Sequence, residues 1–397
     1  MTPLPLSAFT ATSCLGAGRA ATLQALQQRR TGLAPCTFDA VTLQTFVGAV
    51  AGIEEESLPR KLQMFDCRNN RLAHLGLRQD DFPAAVAASA ARWGRERVGV
   101  FLGTSTSGIL QTELAYRRRA AGSGALPADF NYAGTHNAFS VADFVRQHLA
   151  LQGPSLVVCS ACSSSAKVFG VAQRMIAADL IDAAVVGGVD SLCLTTLYGF
   201  HSLQLTSAGP CRPFDAARDG ISISEAAAFL LVERESRGPD AHQVNLLGVG
   251  ESSDAYHMSS PHPEGLGARA AMQRALRAAQ LGPHEIDYIN LHGTGTTSND
   301  AAEARAVSEV FGPQLPSSST KGATGHALGA AGALEAVICA LALQNGLAPA
   351  GINTLTRDPS LPLNYLLENH RAPLRHALSN SFGFGGTNCS LVLGRAD

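Results

Sequence analysis

Ser155-Leu-Val-Val-Cys-Ser-Ala-Cys-Ser-Ser-Ser-Ala166 is a β-branched run that turns through small polar residues into an alanine-rich stretch over 166–179. A short buried strand feeding a helix is the repeating unit of α/β proteins. The same pattern recurs at 98–103, 183–188 and 286–291, with helical stretches at 268–279 and 329–344. This alternation predicts an α/β fold of buried sheets covered by helices, with the chemistry on loops at strand ends. Ser317-Ser-Ser-Thr-Lys-Gly-Ala-Thr-Gly-His326 introduces a second alanine-rich helix in the same way, which suggests a diverged duplication without establishing a repeat.

The length, 397 residues, exceeds the usual single-core size, and 46% hydrophobic content supplies apolar surface for two core units. The best break is Glu233-Arg-Glu-Ser-Arg-Gly-Pro-Asp-Ala-His242, polar and turn-forming between apolar runs. It predicts an N-terminal half over 1–240 and a C-terminal half over 241–397. A net charge of -2 with 16% charged residues argues against a nucleic-acid or anionic-membrane footprint. Arg117-Arg-Arg119 reads as a solvated helix face. Nine cysteines, scattered and odd in number, point to a reducing, cytoplasmic setting instead of a disulfide framework. The first nine residues lack the basic region of a signal peptide, and Glu335 interrupts the apolar stretch 327–343, so no membrane span is expected.

Cys162 is the candidate nucleophile. The serines at 160 and 163–165 can cap the following helix, and a cysteine beside a positive helix end is expected to form a stabilised thiolate. A lone cysteine at such a turn would otherwise be read as a small buried residue. Cys159 and Cys162 also fit a Cys-x-x-Cys redox pair or half a zinc site. No second pair exists, and strand alternation points Cys159 away from the turn.

Three later motifs supply partners: Leu291-His-Gly-Thr-Gly-Thr296, Thr320-Lys-Gly-Ala-Thr-Gly-His326 and Asn380-Ser-Phe-Gly-Phe-Gly-Gly-Thr-Asn388. His292 and His326 each sit where a glycine-rich loop meets an element end, and Thr294 and Thr296 offer hydroxyls to the amides of a narrow ligand arm. Only three lysines occur, so Lys321, five residues before His326, is unlike an incidental charge. A buried lysine needs a carboxylate. Glu303 is the expected partner, with Asp300 and Glu303 on an ordinary helix face as the alternative.

Together these residues resemble the β-ketoacyl-acyl-carrier-protein synthases of the elongating Cys-His-His type, in the thiolase superfamily. The resemblance spans nearly the whole chain and includes Arg212-Pro-Phe-Asp-Ala-Ala-Arg-Asp-Gly220 and the Gly-Phe-Gly-Gly segment at 383–386. It implies a thiolase-like five-layer αβαβα sandwich of two similar halves, working as a homodimer or a close heterodimer. It implies acylation of Cys162 and malonyl decarboxylation at His292 and His326, with Lys321 and Glu303 in support. Phe384 would gate the acyl pocket, and its N–H with that of Cys162 would form the oxyanion hole. Thr294 and Thr296 would meet the phosphopantetheine arm, and Thr106 and Gly385 the substrate. The partner would be an acidic acyl carrier protein, met by basic residues such as Arg60, Lys61, Arg68 and Arg71; no metal or redox cofactor is implied.

Three departures from the family pattern stand out: Ser160 for threonine, Ser224-Glu225-Ala226 for Gly-Glu-Gly, and small polar residues over 104–107 where relatives shape chain length. The last suggests a specialised chain, such as an aryl polyene. Competing readings are a chain-length-factor-like subunit, which lacks the nucleophile, and a degradative thiolase, whose second cysteine would have to be Cys389.

Overall fold

The computed structural model describes residues 1–238 and 242–395, so the expected half boundary at 240/241 lies outside the described residues. Ten strands form the body of the main sheet: β1 Leu4–Ser13, β2 Val98–Gly103, β3 Ser155–Val158, β4 Ala183–Asp190, β5 Ala226–Glu233, β6 Val244–Ser253, β7 Tyr288–Asn290, β8 Pro316–Ser318, β9 His376–Gly383 and β10 Thr387–Arg395. Their spatial order is β3-β2-β4-β5-β1 in one half and β8-β7-β9-β10-β6 in the other. Numbered within each half, both orders read 3-2-4-5-1. The directions match as well: strand 2 runs parallel to strands 3 and 4, and strand 5 runs antiparallel to strands 4 and 1. The duplication suggested by the two helix-entry motifs is therefore present in the topology. The halves join where β1 pairs with β6, Leu4 opposite Leu246.

Three apolar cores separate five layers. An outer layer of α1 Arg68–Leu77, α2 Phe82–Trp93 and α3 Ser140–His148 packs on the first sheet around Phe65, Phe82, Phe144 and Phe229. The middle layer holds α4 Ser164–Ala177 and α7 Ala331–Asn345, packed between the two sheets. The other outer layer, α5 Leu266–Ala279 and α6 Thr297–Phe311, covers the second sheet around Met272, Leu291 and Val307. This is the five-layer thiolase-like arrangement.

Composition explains the middle layer. Residues 331–343 of α7 are all buried, as suits a helix apolar on every side. Leu328–Asn345 is long and apolar enough to cross a membrane, yet 89% of it lies inside the protein. Gly332 lets α7 approach α4: a Cβ there would stand 2.8 Å from Ala166. Gly188 does the same for α4 on β4, since a Cβ would meet the Ser165 Cβ at 2.5 Å. These contacts set the distance between the N-terminal ends of the two middle helices, and the site lies there.

Candidate active site

Cys162 and His326 occupy equivalent places, each between the third strand of its half and a middle-layer helix. Ahead of Cys162 the chain turns sharply, with Ala161 at φ 50°. The serines expected to cap α4 tie this turn instead. Ser163 Oγ donates to the Ser160 carbonyl (2.9 Å), Ser164 Oγ to the Ala161 carbonyl (2.6 Å), and the Ser160 N–H to Ser164 Oγ (2.9 Å). His326 is clamped through its backbone: its N–H donates to the Ser222 carbonyl (2.8 Å) and its carbonyl accepts from the Ser224 N–H (3.0 Å).

Folding brings the three separated residues together. His326 Nε2 stands 3.1 Å from Cys162 Sγ, and the His292 and His326 rings lie 5.4 Å apart at 82°. The Phe384 N–H also points at Sγ. All three side chains are buried. Burial pushes the Cys162 thiol up to about 11, outweighing the opposite pull of Lys321 and the Phe384 N–H. Burial therefore works against the stabilised thiolate expected from the nearby helix end. Burial, reinforced by Lys321, holds both imidazoles well below the usual histidine range, so both are neutral.

Lys321 fixes the tautomer of His292. Its Nζ donates to the His292 carbonyl (2.6 Å) and lies 3.4 Å from Nδ1. An ammonium only donates, so Nδ1 accepts and the ring proton sits on Nε2.

The expected Glu303–Lys321 pair does not form; Lys321 is bonded to Glu335 of α7. Glu303, on α6, turns back under its own loop. Its carboxylate accepts the N–H groups of His292 (2.8 Å) and Gly293 (2.7 Å) and the Asn380 amide (3.1 Å). Burial raises both carboxyls to about 7. Asp300, the other acid in question, is also buried and accepts the N–H groups of Thr294 (3.0 Å) and Phe214 (2.8 Å). The 212–220 segment braces the same loop, with the Gly220 N–H on the Gly295 carbonyl (3.0 Å).

A narrow cavity of about 50 Å³ opens from the triad. Thr294 and Thr296 line it with their hydroxyls 2.8 Å apart, and Phe200, Leu205, Ile221 and Phe384 give it an apolar wall. Phe200 and Phe384 meet at 5.5 Å between ring centroids. Asp254, Ser259, Ser260, Asn299 and Asn388 add polar groups to the lining. Asn388 closes the 380–388 motif; the motif reading found none of the others, because they are ordinary polar residues of the 254–260 segment and the first turn of α6.

Two expected substrate contacts lie elsewhere. Gly385 is exposed at the rim with its N–H on the Met258 carbonyl (2.7 Å). The Thr106 hydroxyl donates to the buried Asp190 carboxylate (2.8 Å), as does Thr104 (2.7 Å). Those polar residues satisfy an internal acid; they do not line this cavity.

Of the basic residues expected at a carrier rim, Arg60 and Lys61 are exposed. Arg68 is buried in a two-point pair with Glu225 (2.9 and 2.7 Å), and Arg71 is paired with Asp66 (2.6 and 2.7 Å). Both charges are already paired, that of Arg68 in the interior and that of Arg71 in a half-buried pair. Ser224, in place of a glycine, fits because Gly48 and Gly325 face it: a Cβ on either would stand 2.6 or 2.7 Å from its own Cβ. Cys159 is an exposed free thiol, whereas Cys389 is a buried residue of β10.

Residues 72–238 match the family model "Beta-ketoacyl synthase, N-terminal domain", and 244–355 match "Beta-ketoacyl synthase, C-terminal domain". The chain is 33% identical to 3-oxoacyl-[acyl-carrier-protein] synthase 2 of Coxiella burnetii, over 94% of this chain and 93% of that one. The chain belongs to the β-ketoacyl synthase family. A second family member, the mitochondrial 3-oxoacyl-[acyl-carrier-protein] synthase of Arabidopsis thaliana, is 40% identical over 62% of this chain and 58% of its own length. Among solved structures, the fold is similar to a chain of the complex between the ketosynthase ApeO and its chain length factor ApeC from Xenorhabdus doucetiae. That similarity has a TM-score of 0.90 and 39% identity, covering 99% of this chain and 98% of the other. It is also similar to a β-ketoacyl synthase of Burkholderia phymatum, at TM-score 0.88 and 29% identity over 100% of both chains.

Proposed function

We propose that this chain is a 3-oxoacyl-[acyl-carrier-protein] synthase, joining a cysteine-bound acyl group to malonyl-carrier with loss of CO₂. The observation that carries the reading is Cys162 Sγ held 3.1 Å from His326 Nε2, with a second neutral imidazole beside it and the Phe384 N–H at the sulfur.

In the first half-reaction the Cys162 sulfur attacks an acyl-carrier thioester while its proton passes to His326 Nε2. The N–H groups of Cys162 and Phe384 take the tetrahedral oxyanion, at about 3–4 kcal/mol per donor. Collapse expels the carrier thiolate, which takes the proton from His326, and leaves a cysteine thioester. In the second half-reaction malonyl-carrier loses CO₂, and its thioester oxygen becomes an enolate held by the His292 Nε2–H and, once the His326 proton has moved from Nδ1 to Nε2, by the His326 Nε2–H. The enolate carbon attacks the cysteine thioester, giving 3-oxoacyl-carrier and a thiolate that is reprotonated. Holding both reactants in one narrow site supplies up to about 7–11 kcal/mol. Lys321 keeps the His292 Nε2 proton aimed inward, Glu303 holds the loop, and Phe384 moves aside to admit the second substrate. Thr294 and Thr296 hold the phosphopantetheine arm, which is the carrier's group and not a resident cofactor.

Two structural neighbours are ketosynthases with chain length factors, which favours a heterodimer over a homodimer here, with this chain as the subunit that keeps the nucleophile. The nine free cysteines support a cytoplasmic setting. The two halves are divided at 240/241, a division supported by the repeated 3-2-4-5-1 strand order and by family models that end at 238 and resume at 244.

The test is incubation with a panel of acyl-carriers and malonyl-carrier, with and without a partner subunit, followed by mass spectrometry. An acyl adduct on Cys162 and a 3-oxoacyl product are expected. An adduct on any other cysteine would overturn the site, and no adduct under any condition would overturn the activity.

A further inference from the structure

We propose that Cys162, His292 and His326 form a latent site for a soft divalent cation of the zinc class, and that Lys321 keeps it latent. One sulfur and two imidazole nitrogens lie within 4.8 Å of one another, all buried, at the end of a cavity able to supply a fourth ligand. That is the ligand set and openness of a three-residue zinc centre.

What differs is the shell behind the ligands. A metal-bound histidine donates its other ring N–H to a carboxylate, carbonyl or water. His292 has the reverse: an ammonium at 3.4 Å occupies Nδ1 and puts the proton on Nε2, where the lone pair for a metal would be needed. Ligation would require that proton to move to Nδ1 and face a cation. His326 has no such block, since its Nδ1 is buried without a hydrogen-bond partner among the described residues and Nε2 faces the sulfur. Lys321 therefore withholds one of three ligands, and Cys162 with His326 alone makes a weak site. Glu335 offers the missing shell. One of its carboxylate oxygens is bonded to Lys321 and the other is buried without a partner. Removing the lysine side chain leaves space for water to bridge Glu335 to a His292 Nδ1–H. Binding would replace the Cys162 proton by the metal and release it to solvent, with no redox change.

The test compares the wild-type protein with Lys321→Ala, and with the volume-keeping Lys321→Met in case the first fails to fold. Zinc affinity is read by chelator competition, and the ligands by the thiolate-to-metal absorption of added cobalt. The lysine variants are expected to bind zinc at least tenfold more tightly than wild type, on the order of the change when a ligand histidine loses or gains the partner of its other ring nitrogen. Their melting temperature rises with zinc, and the cobalt band disappears when Cys162→Ala is added. Adding Glu335→Gln to Lys321→Ala weakens the metal again. Equal affinity in wild type and variants, or zinc binding that survives Cys162→Ala, overturns the proposal. Every readout is independent of condensing activity, so failure here leaves the catalytic reading standing.

Discussion

Lys321 Nζ sits 2.6 Å from the His292 carbonyl oxygen, and the carboxylate that neutralises it comes from Glu335 on a different helix from Glu303. Breaking one side of a buried ion pair typically costs about 3–5 kcal/mol, whereas Lys321 and Glu303 meet only through the backbone of His292, so their coupling is indirect and weaker. A double-mutant cycle in denaturant on Lys321→Met and Glu335→Gln is therefore expected to show strong coupling. The same cycle on Lys321→Met and Glu303→Gln should give a coupling at least several-fold smaller. Equal coupling would mean that Glu303 shares the lysine after all.

Glu303 has its own signature in pH. Burial raises its folded pKa from 4.5 to about 7. For an acid with a raised folded pKa, the native state binds the proton more tightly, so the stability gained is full below the unfolded pKa and is lost as pH rises through about 7. That span corresponds to about 3 kcal/mol, an order-of-magnitude figure. Glu303→Gln, which cannot titrate, should lose less stability than wild type between pH 4.5 and 8, measured by thermal unfolding across that range. Parallel profiles for the two proteins would refute the assignment.

The thiol form of Cys162 is testable by alkylation. With the thiol pushed to about 11, iodoacetamide labelling of Cys162 is expected to keep rising through pH 9, followed by peptide mass spectrometry. A plateau near pH 7 would show a resting thiolate and restore the expectation drawn from the helix end.

The histidines should separate the half-reactions. His326→Ala removes the ring 3.1 Å from Sγ and is expected to slow acylation by 10²–10⁴-fold, the usual range for a positioned acid–base group. His292→Ala removes no group in contact with the sulfur, so acylation should persist while decarboxylation falls by a similar factor. Single-turnover acyl transfer and CO₂ release measure the two steps. Equal loss of acylation in both variants would contradict the roles.

Much of this was legible in the sequence because each catalytic residue follows a strand and carries a glycine-rich or small-residue turn, a signal local in the chain. The α/β class followed from that periodicity, Cys162 stood out as the nucleophile only in the company of the later histidine and lysine motifs, and its role with two histidines 130 and more positions away followed from the family resemblance. What failed depended on which element packs behind which. Glu335 reads as an interruption in an apolar helix, and only the packing of α7 beneath the 292 loop makes it the partner of Lys321. Arg68 reads as surface charge until Glu225 is placed against it. Thr106 reads as pocket lining until Asp190, at the end of β4, claims its hydroxyl. The thiolate expectation for Cys162 left out burial for a related reason, since the helix end is visible in sequence and the degree of burial is not.

Ser224 tests the same lesson at a position where the chain departs from its relatives. Its side chain occupies space that Gly48 and Gly325 leave open, and its hydroxyl is buried without a partner among the described residues. Gly48→Ala would place a Cβ 2.6 Å from that of Ser224, and overpacking of this kind costs about 1–3 kcal/mol. Adding Ser224→Gly to Gly48→Ala should recover part of the loss. The recovery is expected to be partial because the same Cβ would also meet the Thr324 carbonyl oxygen and the Cys14 sulfur at 2.9 Å. Ser224→Ala alone should leave stability unchanged or raise it by up to about 1 kcal/mol, because it removes an unsatisfied hydroxyl while keeping the Cβ. Denaturant midpoints of the four proteins decide it: a marked loss in Ser224→Ala would mean the hydroxyl has a partner, and no recovery in the double variant would mean that the two side chains do not compete for one space.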